Sequence, residues 1–187
     1  VQLAIDLGAQ RIVIVVGHQR DEIEAVLRRD FPEAPLEFVL QSEQRGTGHA
    51  VACAQSALEN FDGDVLILSG DVPCLTRPLL NVLLERQEQT LSLVTMKVAL
   101  PNQYGRLIRD DEGRAKRIVE FRDATSEQRE IEELNAGIYC ANARFLFDAL
   151  QKLTPDNAQG EFYLTDLVQI GYEIQQPAGV VALNADE

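Results

Sequence analysis

The chain has 187 residues, 45% of them hydrophobic, with 30 acidic against 17 basic side chains and a formal net charge of -13 at pH 7. That length supports one compact domain with a substantial core, and the charge excludes a nucleic-acid or anionic-membrane surface, each of which needs a basic footprint. No stretch approaches the roughly 18 uninterrupted apolar residues of a membrane span, and the opening Val1 to Asp6 lacks a signal peptide's basic flank, so a soluble cytoplasmic protein without membrane insertion is expected.

In chain order, Leu3 and Leu7 are spaced for one face of a helix that Gly8 stops, a start that suggests a fragment of a longer chain. Arg11 to Gly17 is a β-branched run suited to a central parallel strand, and Ile23, Val26 and Leu27 make a helical stripe over Asp21 to Arg29. A strand over Leu36 to Leu40 and a small-residue helix over His49 to Leu58 follow. Then Asp64 opens a strand whose four apolar residues, Val65 to Leu68, predict cover on both faces, with Pro73 as its stop and a Leu-rich helix around Leu79, Leu80, Leu83 and Leu84 after it. This β-α alternation, three times repeated, predicts an α/β fold with a mostly parallel sheet, right-handed crossovers, helices on both faces and a ligand crevice at the strand ends.

Beyond a strand over Leu91 to Val98 the texture changes. Tyr104 to Arg109 and Ala115 to Phe121 flank Asp110-Asp111-Glu112-Gly113 and read as an antiparallel hairpin overhanging the sheet. Leu134 to Cys140 is a further strand, Phe145 to Leu153 and Tyr163 to Tyr172 are helical, and Gly179 to Leu183 is a last strand. Cys53, Cys74 and Cys140 lie far apart in apolar runs, which argues for buried reduced thiols and against a zinc or redox pair.

The chemistry concentrates at strand ends. Asp71 follows Gly70 where a strand runs out and presents a carboxylate suited to a metal or a ribose; the same placement also serves a turn or a helix cap, with Thr76 as another cap. An acidic protein binding phosphates needs a divalent cation or a few placed basic groups to offset repulsion, which favours the metal. In Gln41-Ser42-Glu43-Gln44-Arg45-Gly46-Thr47-Gly48-His49-Ala50 the glycines permit close backbone approach to a ligand, and N–H groups at a helix start attract an anion or pair with a planar base. Gln41 offers a donor and an acceptor to an imide edge such as uracil. The plainer alternative makes Thr47 a helix cap and leaves His49 in solvent. Gly105, Glu120 and Asn135 supply a glycine, a carboxylate and an amide for sugar hydroxyls and an N-acetyl group; Tyr163 and Thr165 add hydroxyls from a polar-aromatic cluster over Asn157 to Asp166.

The segments QSEQRGTGHA, LSGDVPCL, YGRLIR, IVEFRDAT, ELNAGIYCAN and NAQGEFYLTD, in this order, resemble the uridyltransferase domain of the bacterial bifunctional N-acetylglucosamine-1-phosphate uridyltransferase and glucosamine-1-phosphate acetyltransferase. The resemblance spans nearly the whole of 1–187 and implies a Rossmann-like nucleotidyltransferase domain. It implies an enzyme of cell-envelope precursor synthesis that joins UTP and N-acetylglucosamine 1-phosphate into UDP-N-acetylglucosamine and pyrophosphate. The roles it implies are uridine contacts for Gln41, Gly46 and Thr47, a catalytic Mg²⁺ ligand for Asp71, and sugar contacts for Gly105, Glu120 and Asn135, with Tyr163 and Thr165 beside them. Ala136 departs from the Thr or Ser more usual after the Asn and puts one secondary polar contact in doubt. The family's Gly-rich triphosphate loop and its Lys are expected before Val1. A second magnesium ligand, an Asn, is expected after Glu187, together with a β-helix acetyltransferase domain through which the parent forms a homotrimer. A fragment without the first strand leaves unpaired sheet edges and is expected to be inactive alone. The alternatives are a nucleotide-sugar binding module without catalysis and a nucleotidyltransferase of another base or sugar.

Overall fold

A computed structural model describes residues 1–72, 75–86 and 89–183. Two sheets organise it. In the first, β1 (Ile12–Val16) and β2 (Leu36–Leu40) pair in parallel, joined by α2 (Arg20–Asp30), which forms as the spacing predicts, although of its apolar stripe only Leu27 is half-buried while Ile23 and Val26 are exposed. The second has six strands: β3 (Asp64–Ile67), β4 (Leu91–Lys97), β5 (Arg106–Arg109), β6 (Ala115–Val119), β7 (Glu133–Asn142) and β8 (Gly179–Ala182). Its order is β6-β5-β7-β4-β8, with β3 also on β7.

The α/β class, the parallel pairs and the hairpin insertion are as expected; the antiparallel share is wider than the hairpin. β4 and β8 run parallel, but β7 is antiparallel to β3, β4 and β5. The reason is the length of β7: at ten residues it outruns β3, so one half carries β3 and the other carries the hairpin. Its alternation divides the core. Tyr139 and Ala141 join Leu91, Leu93 and Leu107 under α3 (Thr47–Cys53), α6 (Ala143–Leu150) and α7 (Asp166–Glu173). Ile138 and Cys140 turn the other way, onto Leu80 and Leu83 of α4 (Arg77–Leu84) and Leu3 and Leu7 beside α1 (Gln2–Asp6). Helices thus cover both faces, the consequence of a period of two in the strand meeting stripes of period 3.6 in the helices.

Val65 and Ile67 pack on one core and Leu66 and Leu68 on the other, so both faces of β3 are covered as expected. All four are only half-buried because β3 pairs along one edge, with β7, among the described residues. The expected helix over His49 to Leu58 divides into α3 and a 3-10 turn at Ser56–Leu58. The expected helix from Tyr163 begins only at Asp166, which leaves Tyr163 and Thr165 in the turn before it. A helix the sequence did not announce, α5 (Ser126–Arg129), is fixed by a reciprocal cap in which Thr125 accepts from the Gln128 N–H and Gln128 accepts from the Thr125 N–H. Cys140 is buried, its thiol pushed up to about 12 by burial, and Cys53 is half-buried; neither forms a disulfide. Pro73 and Cys74 lie outside the described residues. No helix among the described residues is long and apolar enough to cross a membrane.

Candidate functional site

Gly17, Gln41 and the Leu68 to Asp71 loop leave the carboxyl ends of β1, β2 and β3. The Gln41 N–H extends the parallel ladder by donating to Val16 O at 2.8 Å, and the chain then turns into Gly46-Thr47-Gly48. This loop is fastened to the segment before α7. Phe162 N donates to Arg45 O at 2.8 Å, Gly48 N donates to Phe162 O at 2.8 Å, and Thr47 Oγ1 accepts from Leu164 N at 3.1 Å. The Arg45 guanidinium lies 4.9 Å from the Phe162 ring centre. Gly46 has φ 103° and ψ 174°, a region open essentially to glycine alone, and a Cβ there would stand 2.6 Å from Phe162 O.

The close approach expected at these glycines is therefore made by the protein's own backbone. The Gly48 N–H, expected at a helix start to face an anion or a base, is committed to Phe162, and Thr47 caps the turn before α7 where its own helix was the alternative. The reason is long-range packing that no local motif encodes.

The remaining candidates are linked to this loop in turn. Thr165 Oγ1 donates to Glu120 Oε1 at 3.1 Å. Gly105 stands so close that a Cβ on it would lie 3.4 Å from both Glu120 oxygens, and its carbonyl accepts from Asn135 N at 2.8 Å. Asn135 Oδ1 accepts from Gly137 N at 3.1 Å, and Gly137 O accepts from Ser69 Oγ at 3.2 Å, two residues before Asp71. Antiparallel pairing of β3 with β7 sets this last contact, because Ile67 opposite Tyr139 puts Ser69 opposite Gly137. Gln41, Gly46, Thr47, Thr165, Glu120, Gly105 and Asn135 therefore belong to one linked set that reaches Ser69, and Asp71 follows two residues on with no hydrogen bond of its own among the described residues. Tyr163 joins it as a buried side chain whose hydroxyl accepts from Gln159 Nε2 at 3.0 Å.

Charge is unevenly placed across the set. Glu120 is half-buried, and burial first, then Asp123 and Asp166, push its carboxyl above the usual range against the Thr165 hydrogen bond and Arg106. Burial and Asp123 raise Asp166 in the same way. Among the described residues the one buried cation is Arg106, 1% exposed, held by the carbonyls of Asn102, Tyr104 and Arg129 and stacked 5.1 Å from the Phe121 ring. It braces the approach to Gly105.

Sequence reasoning passed over Arg106, Ser69, Gly137 and Tyr139. Only Arg106, in Tyr-Gly-Arg, carried a signal, as a charge at a strand position with apolar neighbours. Tyr139, 2% exposed, stands beside Asn135 and in the field of Glu120 with no hydrogen-bond partner for its hydroxyl. A buried hydroxyl without a partner costs about 1 to 3 kcal/mol. Tyr139→Phe is expected to raise Tm by about 2 to 10 °C, read by differential scanning calorimetry. An unchanged or lower Tm in this variant means the hydroxyl is satisfied in solution.

Asp71 is exposed on its loop. Among the described residues no three His, Cys, Asp or Glu side chains gather to hold a metal. A lone carboxylate still suits one metal class: Mg²⁺ takes hard oxygen ligands, keeps several waters and is completed by phosphate oxygens, so one or two protein groups suffice.

An open α/β sheet places its ligand crevice at the strand ends, where these polar loops gather. The chain belongs to the nucleotidyl transferase family, whose model matches residues 1–185. It is 50% identical over 181 residues to the "Bifunctional protein GlmU" of Anaeromyxobacter sp. (strain Fw109-5), covering 96% of this chain and 37% of that protein. To the protein of the same name from Geobacter sulfurreducens it is 43% identical over 196 residues, covering 98% of this chain and 40% of the relative. The chain thus spans about two fifths of the length of these relatives. Among solved structures it is similar to a UDP-glucose pyrophosphorylase complexed with UDP-glucose, with a TM-score of 0.71 at 20% identity, over 96% of this chain and 75% of that one. That likeness speaks for the fold.

Proposed function

We propose that the chain carries uridyl transfer: UTP and N-acetylglucosamine 1-phosphate combine to UDP-N-acetylglucosamine and pyrophosphate. A phosphate oxygen of the sugar phosphate attacks the α-phosphorus of UTP, one P–O bond forms, and the bond to pyrophosphate breaks. No protein nucleophile is required, so the residues act by alignment and by offsetting charge. Gln41, Gly46 and Thr47 form the base side. Gly105, Glu120, Asn135, Tyr163 and Thr165 form the sugar side, with Glu120 accepting from a sugar hydroxyl. Asp71 would hold Mg²⁺ between the two. When bound, the cation offsets the negative charge that the phosphates bring to an acidic protein. The same proposal for the complete protein includes acetyl transfer, a homotrimer and a cytoplasmic setting, where nucleoside triphosphates are held.

The observation that carries this reading is the linked set itself: residues from six separate motifs, spread over 125 positions from Gln41 to Thr165, meet through successive hydrogen bonds and one close glycine contact. The test is pyrophosphate release from UTP, N-acetylglucosamine 1-phosphate and Mg²⁺ by the complete protein that carries these residues. Binding without turnover there supports a binding module, and turnover with another sugar phosphate only would reassign the sugar side.

Glu120 offers a separate check. Its raised carboxyl pKa means the folded state holds the proton more tightly than the unfolded chain, so this group favours folding at low pH and opposes it once pH rises past the ordinary carboxylate range. Glu120→Gln is expected to raise Tm at pH 7, with the gain shrinking as pH falls towards the ordinary carboxylate range and absent below about 4. The same variant is expected to raise the KM for the sugar phosphate about tenfold or more while the KM for UTP moves little. Equal effects on both substrates would remove Glu120 from the sugar side.

A further inference from the structure

The Gln41 carboxamide has only one orientation that its neighbours allow. Gly46 O, an acceptor without a proton, lies 3.1 Å from the terminal atom, so that atom is Nε2. The same Nε2 lies 3.1 Å from His49 Nδ1. Both amide hydrogens are then committed, one to the Gly46 carbonyl and one to the imidazole. The second bond requires Nδ1 to be an unprotonated acceptor, which puts the ring proton on Nε2, facing Cys53 Sγ at 3.9 Å one helical turn on. The sequence reading gave Gln41 both a donor and an acceptor to offer; the structure withdraws the donor and leaves Oε1.

We infer that His49 is a specificity-determining positioning residue, which locks the Gln41 amide so that the loop presents only a carbonyl oxygen to the nucleobase. This rests on the assignment of Gln41 to the base side in the proposed function. A lone acceptor pairs with a ring N–H. Uracil carries that proton at N3, whereas N3 of cytosine is itself an acceptor and would meet Oε1 with repulsion. Thymine shares the imide of uracil, so the lock rejects cytosine and leaves thymine to other contacts. Removing the imidazole frees the second hydrogen on Nε2 and lets the side chain turn either edge outward.

The experiment measures kcat/KM for UTP and for CTP, with N-acetylglucosamine 1-phosphate and Mg²⁺, in the complete protein and its His49→Ala, His49→Phe and His49→Asn variants. Their ratio is insensitive to any loss of folded enzyme, because both nucleotides meet the same molecules. The UTP-over-CTP ratio is expected to fall about tenfold or more in His49→Ala and in His49→Phe, which keeps the ring volume without the acceptor. His49→Asn, whose Oδ1 stands near the place of Nδ1, is expected to restore the ratio to within about threefold of the unsubstituted protein. An unchanged ratio in the Ala and Phe variants, with UTP still turned over, overturns the role of His49 and leaves the proposed function standing. A ratio that falls equally in all three variants also overturns it. Failure of the unsubstituted protein to use UTP instead overturns the proposed function.

Discussion

Asp71→Ala in the complete protein is expected to lower kcat for pyrophosphate release by about a thousandfold, while Tm moves by no more than about 1 °C. The first figure follows from the proposed role. Taking away the carboxylate that holds the cation removes charge compensation from the step where charge is redistributed, a term commonly worth two to three powers of ten or more. The second follows from position. Asp71 is exposed, it lies past the last hydrogen-bonded residue of β3, and among the described residues it makes no ion pair, so little of the folded state depends on it. Asp71→Asn separates the two components: it keeps the shape and loses the charge, and is expected to behave as Ala does in kcat. Full activity in either variant at saturating Mg²⁺ would falsify the metal role.

Gly46→Ala is expected to have the largest effect on the fold among substitutions at the site. Two costs coincide. The backbone at φ 103° and ψ 174° is strained for any side chain, and the added Cβ meets Phe162 O at 2.6 Å and Phe162 N at 2.9 Å, backbone atoms that cannot swing aside. Together these amount to roughly 3 to 4 kcal/mol, a fall in Tm of about 10 °C. Because the loop is fastened to the 161–164 segment, the KM for UTP is expected to rise more than tenfold in whatever fraction stays folded. Gly113→Ala is the control. Its φ of 79° imposes the conformational cost, but nothing lies within 4 Å of the added atom, so it should lose about 1 to 2 kcal/mol only. Equal losses in the two variants would show that the contact with Phe162 is absent in solution.

Much of the fold was legible because it is written at short range. The β-branched run at Arg11 to Gly17, the apolar stripe of α2 and the Asp110 to Gly113 turn each specify their element from residues within one or two turns, and the α/β alternation follows from their order. Boundaries were less legible where a distant segment competes for the same groups. Tyr163 to Thr165 has the composition of a helix start, yet Leu164 N donates to Thr47, 117 residues away, and α7 begins later. The wider antiparallel pairing was illegible for a similar reason: β7 reads as one strand, and nothing in it states that its two halves take different partners.

At the site, the amino-acid sequence by itself determined which groups are present and near which strand ends they stand: a carboxylate at 71, a glycine loop at 46 to 48, and an amide, a carboxylate and hydroxyls farther on. Side-chain chemistry and element order are local properties, so they survive the absence of coordinates. Only the tertiary structure decided which of those groups remain uncommitted. It bound the Gly48 N–H and the Thr47 hydroxyl to the chain before α7, and it tied both hydrogens of the Gln41 amide to Gly46 and His49. A donor's availability depends on every acceptor within about 3 Å, and folding alone sets that neighbourhood.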